Sequence, residues 1–321
     1  VFPVGHPYRH EVIGSMADLD AATEDDSRHF FNRFYAPNNA TLLIAGDLDG
    51  ARVKELVEKY FGPIPAGLEV ARPTPPPIPA SASERRIAME ANINLPRGLH
   101  AWNTVPLFAP GDAELDLLAK VLAGGKSSRL HRRLVYELKL AQSVSATHIS
   151  RMLGGTFEIA YVPMQGHTLA EVEAVIDEEL AKLREQPVEA VELERARNEL
   201  KTESVRGLET LQGVAGRLLT YDVFAGDPAY LGRDLARYEA ATPELLHKWA
   251  SQVLRVASRV NIKVEPNPAA PLMGRVVSPA KTAASDKAAV VPKVSAGKPK
   301  SRQTPDAEFR AQPPAAAERL T

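Results

Sequence analysis

The stretch Leu122-Ala123-Gly124-Gly125-Lys126-Ser127-Ser128-Arg129-Leu130, followed by Ala141-Gln142-Ser143-Val144-Ser145-Ala146, decides how the chain is read. Its glycine pair divides a helical pattern at about 111–124 from a second at about 126–138, and strands are expected near 143–150 and 155–163. Upstream, Arg85 to Ile93 and Leu99 to Val105 read as strands. Downstream, helical segments at roughly 168–184, 187–205, 209–224 and 242–254 precede a last strand, Arg259 to Val264. Strands in pairs, separated by helices, predict an α+β fold of mostly antiparallel sheets flanked by helices, not a doubly wound sheet.

The region before it alternates helix and strand. Thr23-Glu24-Asp25-Asp26 carries a capping signal with early acids, and Phe30, Phe31, Phe34 and Tyr35 follow at helical spacing until Pro37-Asn38-Asn39. Ala40-Thr41-Leu42-Leu43-Ile44-Ala45 reads as a buried strand; Val53, Leu56, Val57 and Tyr60 give a helix closed by Phe61-Gly62-Pro63. Pro73-Thr74-Pro75-Pro76-Pro77-Ile78-Pro79 is a stiff connector. Four zones follow: 1–72, the connector 73–82, a domain over 83–265, and a tail over 266–321. The tail has nine basic against four acidic residues and one aromatic, Phe309, too little apolar surface to offset chain ordering, so it is expected to be a disordered linker.

Composition excludes whole classes of chemistry. Without cysteine, the 321 residues hold no disulfide, thiolate metal site or thiol nucleophile. Thirty-nine basic residues against 40 acidic leave no net field for nucleic acid or an anionic membrane, and no apolar run is long enough for a membrane span. The chain opens with Val1-Phe2-Pro3-Val4-Gly5-His6-Pro7-Tyr8, without an initiator Met, and is read as a fragment.

Residue patterns alone supply no active site. His6, His10 and Glu11 are raw material for zinc, but Gly5, Pro7 and Gly14 place them in a loop, where the spacing guarantees no shared face. His29, His100, His131, His148, His167 and His247 stand singly and read as structural. Gly124 to Ser128 lacks the further glycine of a phosphate loop, so Ser127 or Ser128 reads as a helix N-cap. Glu192, Glu194 and Glu199 with Arg195, Arg197 and Lys201 read as a solvated, ion-paired helix face.

Two stretches nevertheless resemble one family. His6-Pro7-Tyr8, Gly14, Phe34-Tyr35-Ala36-Pro37-Asn38-Asn39-Ala40-Thr41-Leu42, Gly46-Asp47 and Tyr60-Phe61-Gly62-Pro63-Ile64-Pro65 resemble the second part of the catalytic domain of pitrilysin-type (insulinase-like) zinc metallopeptidases, relatives of the mitochondrial processing peptidase. Leu122 to Leu130, Ala141 to Ala146 and Asn198-Glu199-Leu200 resemble the domain that follows it. The resemblance covers about residues 1–265 and implies metallopeptidase-like α/β sandwich domains: 1–72 the end of a truncated catalytic-type domain, 83–265 its companion.

It also implies zinc in the parent protein, held by the two His of an inverted His-x-x-Glu-His helix and a more distant Glu, with the motif Glu as general base on zinc-bound water. Those groups are expected upstream of Val1, so no catalytic, metal or substrate-binding residue is assigned here, and the chain alone is expected to be inactive and zinc-free. Many relatives carry a substrate-holding Arg and, seven residues on, a Tyr; Val135 and Gln142 stand at those positions, with Arg132 or Tyr136 as substitutes from a neighbouring turn. The implied partners are a peptide substrate and a second homologous half closing like a clamshell, toward which Asp306-Ala307-Glu308-Phe309-Arg310 and Pro313-Pro314 lead. Bacterial relatives suggest the periplasm or cell envelope. The alternative is a non-catalytic scaffold or partner subunit of an active peptidase.

Overall fold

The centre of the structure is an antiparallel pair, Arg97–Thr104 against Gly155–Pro163, in which Trp102 lies opposite Phe157 and His100 opposite Ile159. The computed structural model describes residues 1–271 and 275–277, except Glu11, Ile13, Pro73 and residues 79–82; for 275–277 the backbone alone is described. The expected linker over 266–321 falls almost wholly outside the described residues.

In chain order the helices and strands are α1 (Met16–Ala21), α2 (Glu24–Phe34), α3 (Gly50–Phe61), β1 (Arg85–Ala91), β2 (Arg97–Thr104), α4 (Asp112–Ala123), a π-helix (His131–Glu137), β3 (Ala141–Ile149), β4 (Gly155–Pro163), α5 (Leu169–Glu185), α6 (Ala190–Gly207), α7 (Leu211–Ala225), α8 (Leu231–Ala240), α9 (Pro243–Val253), β5 (Val260–Pro266) and β6 (Arg275–Val277). Six strands form one sheet in the order β3-β4-β2-β5-β1-β6. The α+β expectation holds, and every ladder is antiparallel except β1 with β5. That parallel pair arises because β5, after five helices, inserts between β2 and β1.

Residues directly opposite across a ladder share a face, which divides the sheet cleanly. On one side Trp102, Phe157, Ile159 and Val144 join Leu115, Leu118 and Leu122 of α4, Val172 and Ile176 of α5, and Leu246 and Ala250 of α9 in a continuous apolar core. Fully burying each such side chain contributes about 1.5–3 kcal/mol, so this face anchors the domain. The other side carries Ile87 and Met89 of β1, Leu99 of β2, Ile262 and Val264 of β5, all half-buried, with Ala160, Ser145 and Thr147 exposed. At one end of it the segment Val1–Val4 lies beside Arg85, Asn103 and Val260.

Capping explains the helix starts. Thr168 and Glu171 form a reciprocal capping box before α5, Thr23 and Asp26 do so before α2, and Thr242 caps α9 ahead of Pro243. One glycine is dictated by close approach: a Cβ at Gly98 would sit 2.0 Å from Cζ of Tyr161.

Residues 16–61 differ from the rest. None of α1, α2 or α3 buries a residue, and Phe30 and Tyr35 are 57% and 66% exposed. The expected strand at Ala40–Ala45 does not form: the segment carries no regular secondary structure and joins no ladder among the described residues, with Leu42 and Ile44 exposed. A strand needs a neighbour for its backbone groups, and none of the described residues supplies one here. The segment before α1 is anchored instead: the Tyr8 hydroxyl accepts from Leu153 N at 3.2 Å, and Phe2 stacks on His6 with ring centres 4.5 Å apart.

Candidate functional site

The helix-facing side of the sheet carries two clusters of titratable groups in the interior. The first joins α4 to β3. Asp112 and Asp116 stand one turn apart on α4 and so share a face, and His148 reaches them from β3. Its Nδ1 lies 2.9 Å from Oδ1 of Asp116 and 3.9 Å from Oδ1 of Asp112. The three form the one group of at least three His, Asp or Glu ligands whose donor atoms converge among the described residues, all within 4.8 Å of one another. Each is tied from behind. Phe108 N and Arg237 Nη1 donate to Oδ2 of Asp112, both at 2.9 Å. Tyr238 donates to Oδ2 of Asp116 at 2.7 Å, and His148 Nε2 is 3.0 Å from the Thr104 hydroxyl. Oδ1 of Asp112 is buried without a hydrogen-bond partner.

Arg237 extends this cluster to Asp234, which also accepts from the Tyr221 hydroxyl at 2.7 Å. Burial, reinforced by the Asp234 carboxylate, pushes the Tyr221 hydroxyl up to about 12. Tyr238 is pushed up as well, first by burial and then by the charge of Asp116. Both phenols therefore stay protonated and act as fixed donors.

The second cluster joins β2, β4 and β5 to α5. Arg259 Nη1 lies 3.2 Å from His100 Nδ1; a guanidinium can only donate, so Nδ1 accepts and the imidazole carries its proton on Nε2. That proton faces the Tyr161 hydroxyl at 3.2 Å, and Tyr161 in turn donates to Glu173 at 2.6 Å. Burial lowers the His100 pKa and keeps the ring neutral. Burial alone would raise the Glu173 carboxyl, but hydrogen bonds from His100, Lys263 and Tyr161 hold it down at about 2. Arg259 is closed off by Glu84 and Asp177. The network ties α5 to the sheet and opens to solvent at Asp177; Asn261, whose Nδ2 reaches Glu173 at 3.4 Å, keeps a buried Oδ1 without a hydrogen-bond partner.

The residues singled out from sequence fall elsewhere. His6 is buried, caps the turn Pro7–Arg9 through Nδ1 accepting from Tyr8 N at 3.1 Å, and joins no ligand set among the described residues; His10 is exposed, and Glu11 lies outside them. Val135 packs against the core from the π-helix. Gln142 sits in the register shift between Ala141 and Ser143, exposed in a cleft with Asn94, Arg97 and Val162. Arg132, exposed, pairs with Glu137 at 3.3 Å, and Tyr136, also exposed, packs on His131. Ser128 donates to Gly125 O at 2.5 Å rather than accepting from the following helix, so the expected cap is a turn-closing contact. The charged face of α6 is partly buried: Arg129 and Arg197 draw its acids and neighbouring carbonyls inward. The Asp112–Asp116–His148 set was missed because its halves are separate in sequence; the signal available was an Asp-x-x-x-Asp on a predicted helix.

Residues 21–200 match the family model described as the peptidase M16 inactive domain. The zinc protease PqqE of Helicobacter pylori is 30% identical over 227 residues, which cover 68% of this chain and 50% of that protein. A zinc protease of Streptomyces coelicolor is 26% identical over 250 residues, covering 76% and 54%. The chain thus spans about half the length of these curated relatives. In fold it is similar to the crystal structure of a protease from Helicobacter pylori, with a TM-score of 0.73 and 24% identity over 82% of this chain and 64% of that one. No helix among the described residues is long and apolar enough to cross a membrane.

Proposed function

This chain belongs to the M16 peptidase family, through the domain type called inactive, and from that premise we propose that it forms one wall of the substrate chamber of a zinc-dependent endopeptidase. The observation that carries the reading is the second face of the sheet. The helices α4, α5 and α9 cover one side, while Ile87, Met89, Leu99, Ile262 and Val264 form a half-exposed apolar floor on the other. Such a floor suits extended or unfolded peptides, whose side chains it can shelter without demanding one sequence. The zinc protease names of the relatives support the same assignment.

In this reading residues 1–72 are the C-terminal part of a catalytic-type domain, 73–82 the connector and 83–265 the companion domain. The exposed apolar faces of α2, α3 and Ala40–Ala45 support it, because they match surfaces that the remainder of such a domain would cover. The family's zinc does not fit the residues present. No His-x-x-Glu-His occurs in the 321 residues, and His6 is committed to a turn. Hydrolysis is therefore assigned to another segment or subunit, and this chain supplies shape and apolar surface. A homologous half facing this wall would close the chamber.

A second reading, a non-catalytic partner subunit, is favoured by Val135 and Gln142, which cannot reproduce a paired Arg and Tyr clamp. One experiment separates the outcomes. The full-length protein, wild type and Ile262→Glu, is assayed on an unstructured fluorogenic peptide. The chamber reading predicts a raised KM with a smaller change in kcat. Equal KM in the two proteins contradicts it, and no hydrolysis by the wild type favours the partner subunit.

A further inference from the structure

The geometry points to a divalent transition-metal site at Asp112, Asp116 and His148, an inference independent of the peptidase reading. Four observations converge. Two oxygens and one imidazole nitrogen face a common point, and that mixed donor set suits zinc or cobalt better than magnesium or calcium.

The spacing is close to what an ion requires. Ligand bonds of about 2.0–2.2 Å in a tetrahedron place donor atoms roughly 3.3 Å apart. The observed separations from His148 Nδ1, 2.9 Å and 3.9 Å, bracket that value. The third separation, between the two carboxylates, lies within 4.8 Å, so a bound ion would draw Asp112 toward Asp116 and His148.

Each donor is also oriented from behind by a different group, the arrangement that fixes metal ligands elsewhere. Arg237 holds Asp112, Tyr238 holds Asp116, and Thr104 holds His148. The Thr104 hydroxyl can donate or accept. In the metal-free site Nδ1 donates to the Asp116 carboxylate, which can only accept; an ion would displace that proton, and Thr104 can accept from Nε2 in the tautomer that leaves Nδ1 free.

Charge completes the case. Three carboxylates, Asp112, Asp116 and Asp234, gather around a single guanidinium, Arg237, in a mostly buried cluster. Oδ1 of Asp112, in a residue 1% exposed, has no hydrogen-bond partner. A dication would balance the carboxylates and satisfy that oxygen. Asp116, with a side chain 24% exposed, gives the ion a path from solvent. Because α4 and β3 meet here, the ion would lock the core helix to an edge strand.

The test uses the 321-residue chain, stripped with a chelator, dialysed and titrated with cobalt(II) and then zinc chloride. The expected result is saturation at one ion per chain, with cobalt absorption typical of low coordination. Asp116→Asn, which keeps shape and a hydrogen-bond acceptor, is expected to weaken binding about 100-fold, and Tyr238→Phe about tenfold. His167→Ala, at an exposed histidine elsewhere, leaves binding unchanged. Should a variant fold poorly, paramagnetic broadening of the His148 ring resonances by cobalt in the wild type reads the site directly. No saturable binding, binding indifferent to Asp116→Asn, or an unbroadened His148 ring overturns the proposal.

Discussion

Arg129 and Glu192 meet as a two-pronged ion pair, Nε to Oε1 at 2.7 Å and Nη2 to Oε2 at 2.5 Å, which fastens the turn before the π-helix to the start of α6. Both side chains are about 15% exposed (15% and 14%), so neither charge can return to water if its partner is removed. Glu192→Ala is therefore expected to cost about 3 kcal/mol. The exposed pair Arg28–Glu24, at 2.6 Å on α2, offers the contrast: Glu24→Ala is expected to leave stability nearly unchanged. Urea denaturation of the two variants checks this; equal losses would mean that burial does not govern these pairs.

Acid should unfold the domain in two stages. Burial keeps His100 from taking a proton that the unfolded chain accepts, so stability begins to fall as pH drops through the ordinary value of 6.5. Glu173, held at about 2 against an ordinary 4.5, contributes stability that is fully present above 4.5 and is lost between there and about 2. That shift corresponds to roughly 3 kcal/mol. Glu173→Gln should shrink the lower stage and leave the upper one, seen as urea midpoints at pH 7, 5.5, 4 and 3. The remainder of the lower stage comes from Glu84, Glu179 and Glu192, where burial alone would raise the carboxyls but arginine and lysine partners hold them down. Parallel decline of both proteins below pH 4.5 would refute the assignment.

Gly98 should resist substitution. A Cβ there meets the Tyr161 ring, whose hydroxyl is fixed by Glu173 and His100 and so cannot swing away. Gly98→Ala is expected to cost about 3 kcal/mol or more. Gly232→Ala in α8, where a Cβ meets open space, should instead be neutral or stabilising by up to about 1 kcal/mol. Thermal unfolding of both variants settles the comparison; equal tolerance would show that Tyr161 moves.

Much of the companion domain is legible in its sequence. Alternation around Leu99–Val105 and 155–163 marks β2 and β4 because one sheet face is buried and the other is not. Helices α5, α6, α7 and α9 end within a few residues of their expected bounds, since Thr168, Thr210 and Thr242 are strong local caps. Long-range choices are not written locally. The parallel pairing of Arg85 with Val260 joins residues far apart in the chain, and no periodicity selects it. The π-helix at His131–Glu137 reads as ordinary helix because its apolar positions, Leu134 among them, satisfy either period. Helix α8 lies outside the expected segments although Leu231, Leu235 and Tyr238 sit at helical spacing, and α1 is too short to show a period.

The same limit applied to the candidate metal cluster. His148 has no ligand near it in sequence, and only the packing of β3 against α4 brings Asp112 and Asp116 to its ring. His6, His10 and Glu11 had the opposite character: close in sequence, but in a loop where His6 turns inward against Phe2.

The chamber-wall assignment is tested most directly by photo-crosslinking in the full-length protein. A crosslinking amino acid is placed at Ile262, on the sheet face opposite the helices, or at Ala174, exposed on α5, and an unfolded peptide is added. The account predicts peptide adducts at position 262 and none above background at 174. Adducts at 174 alone, or equal yields at both, would contradict it.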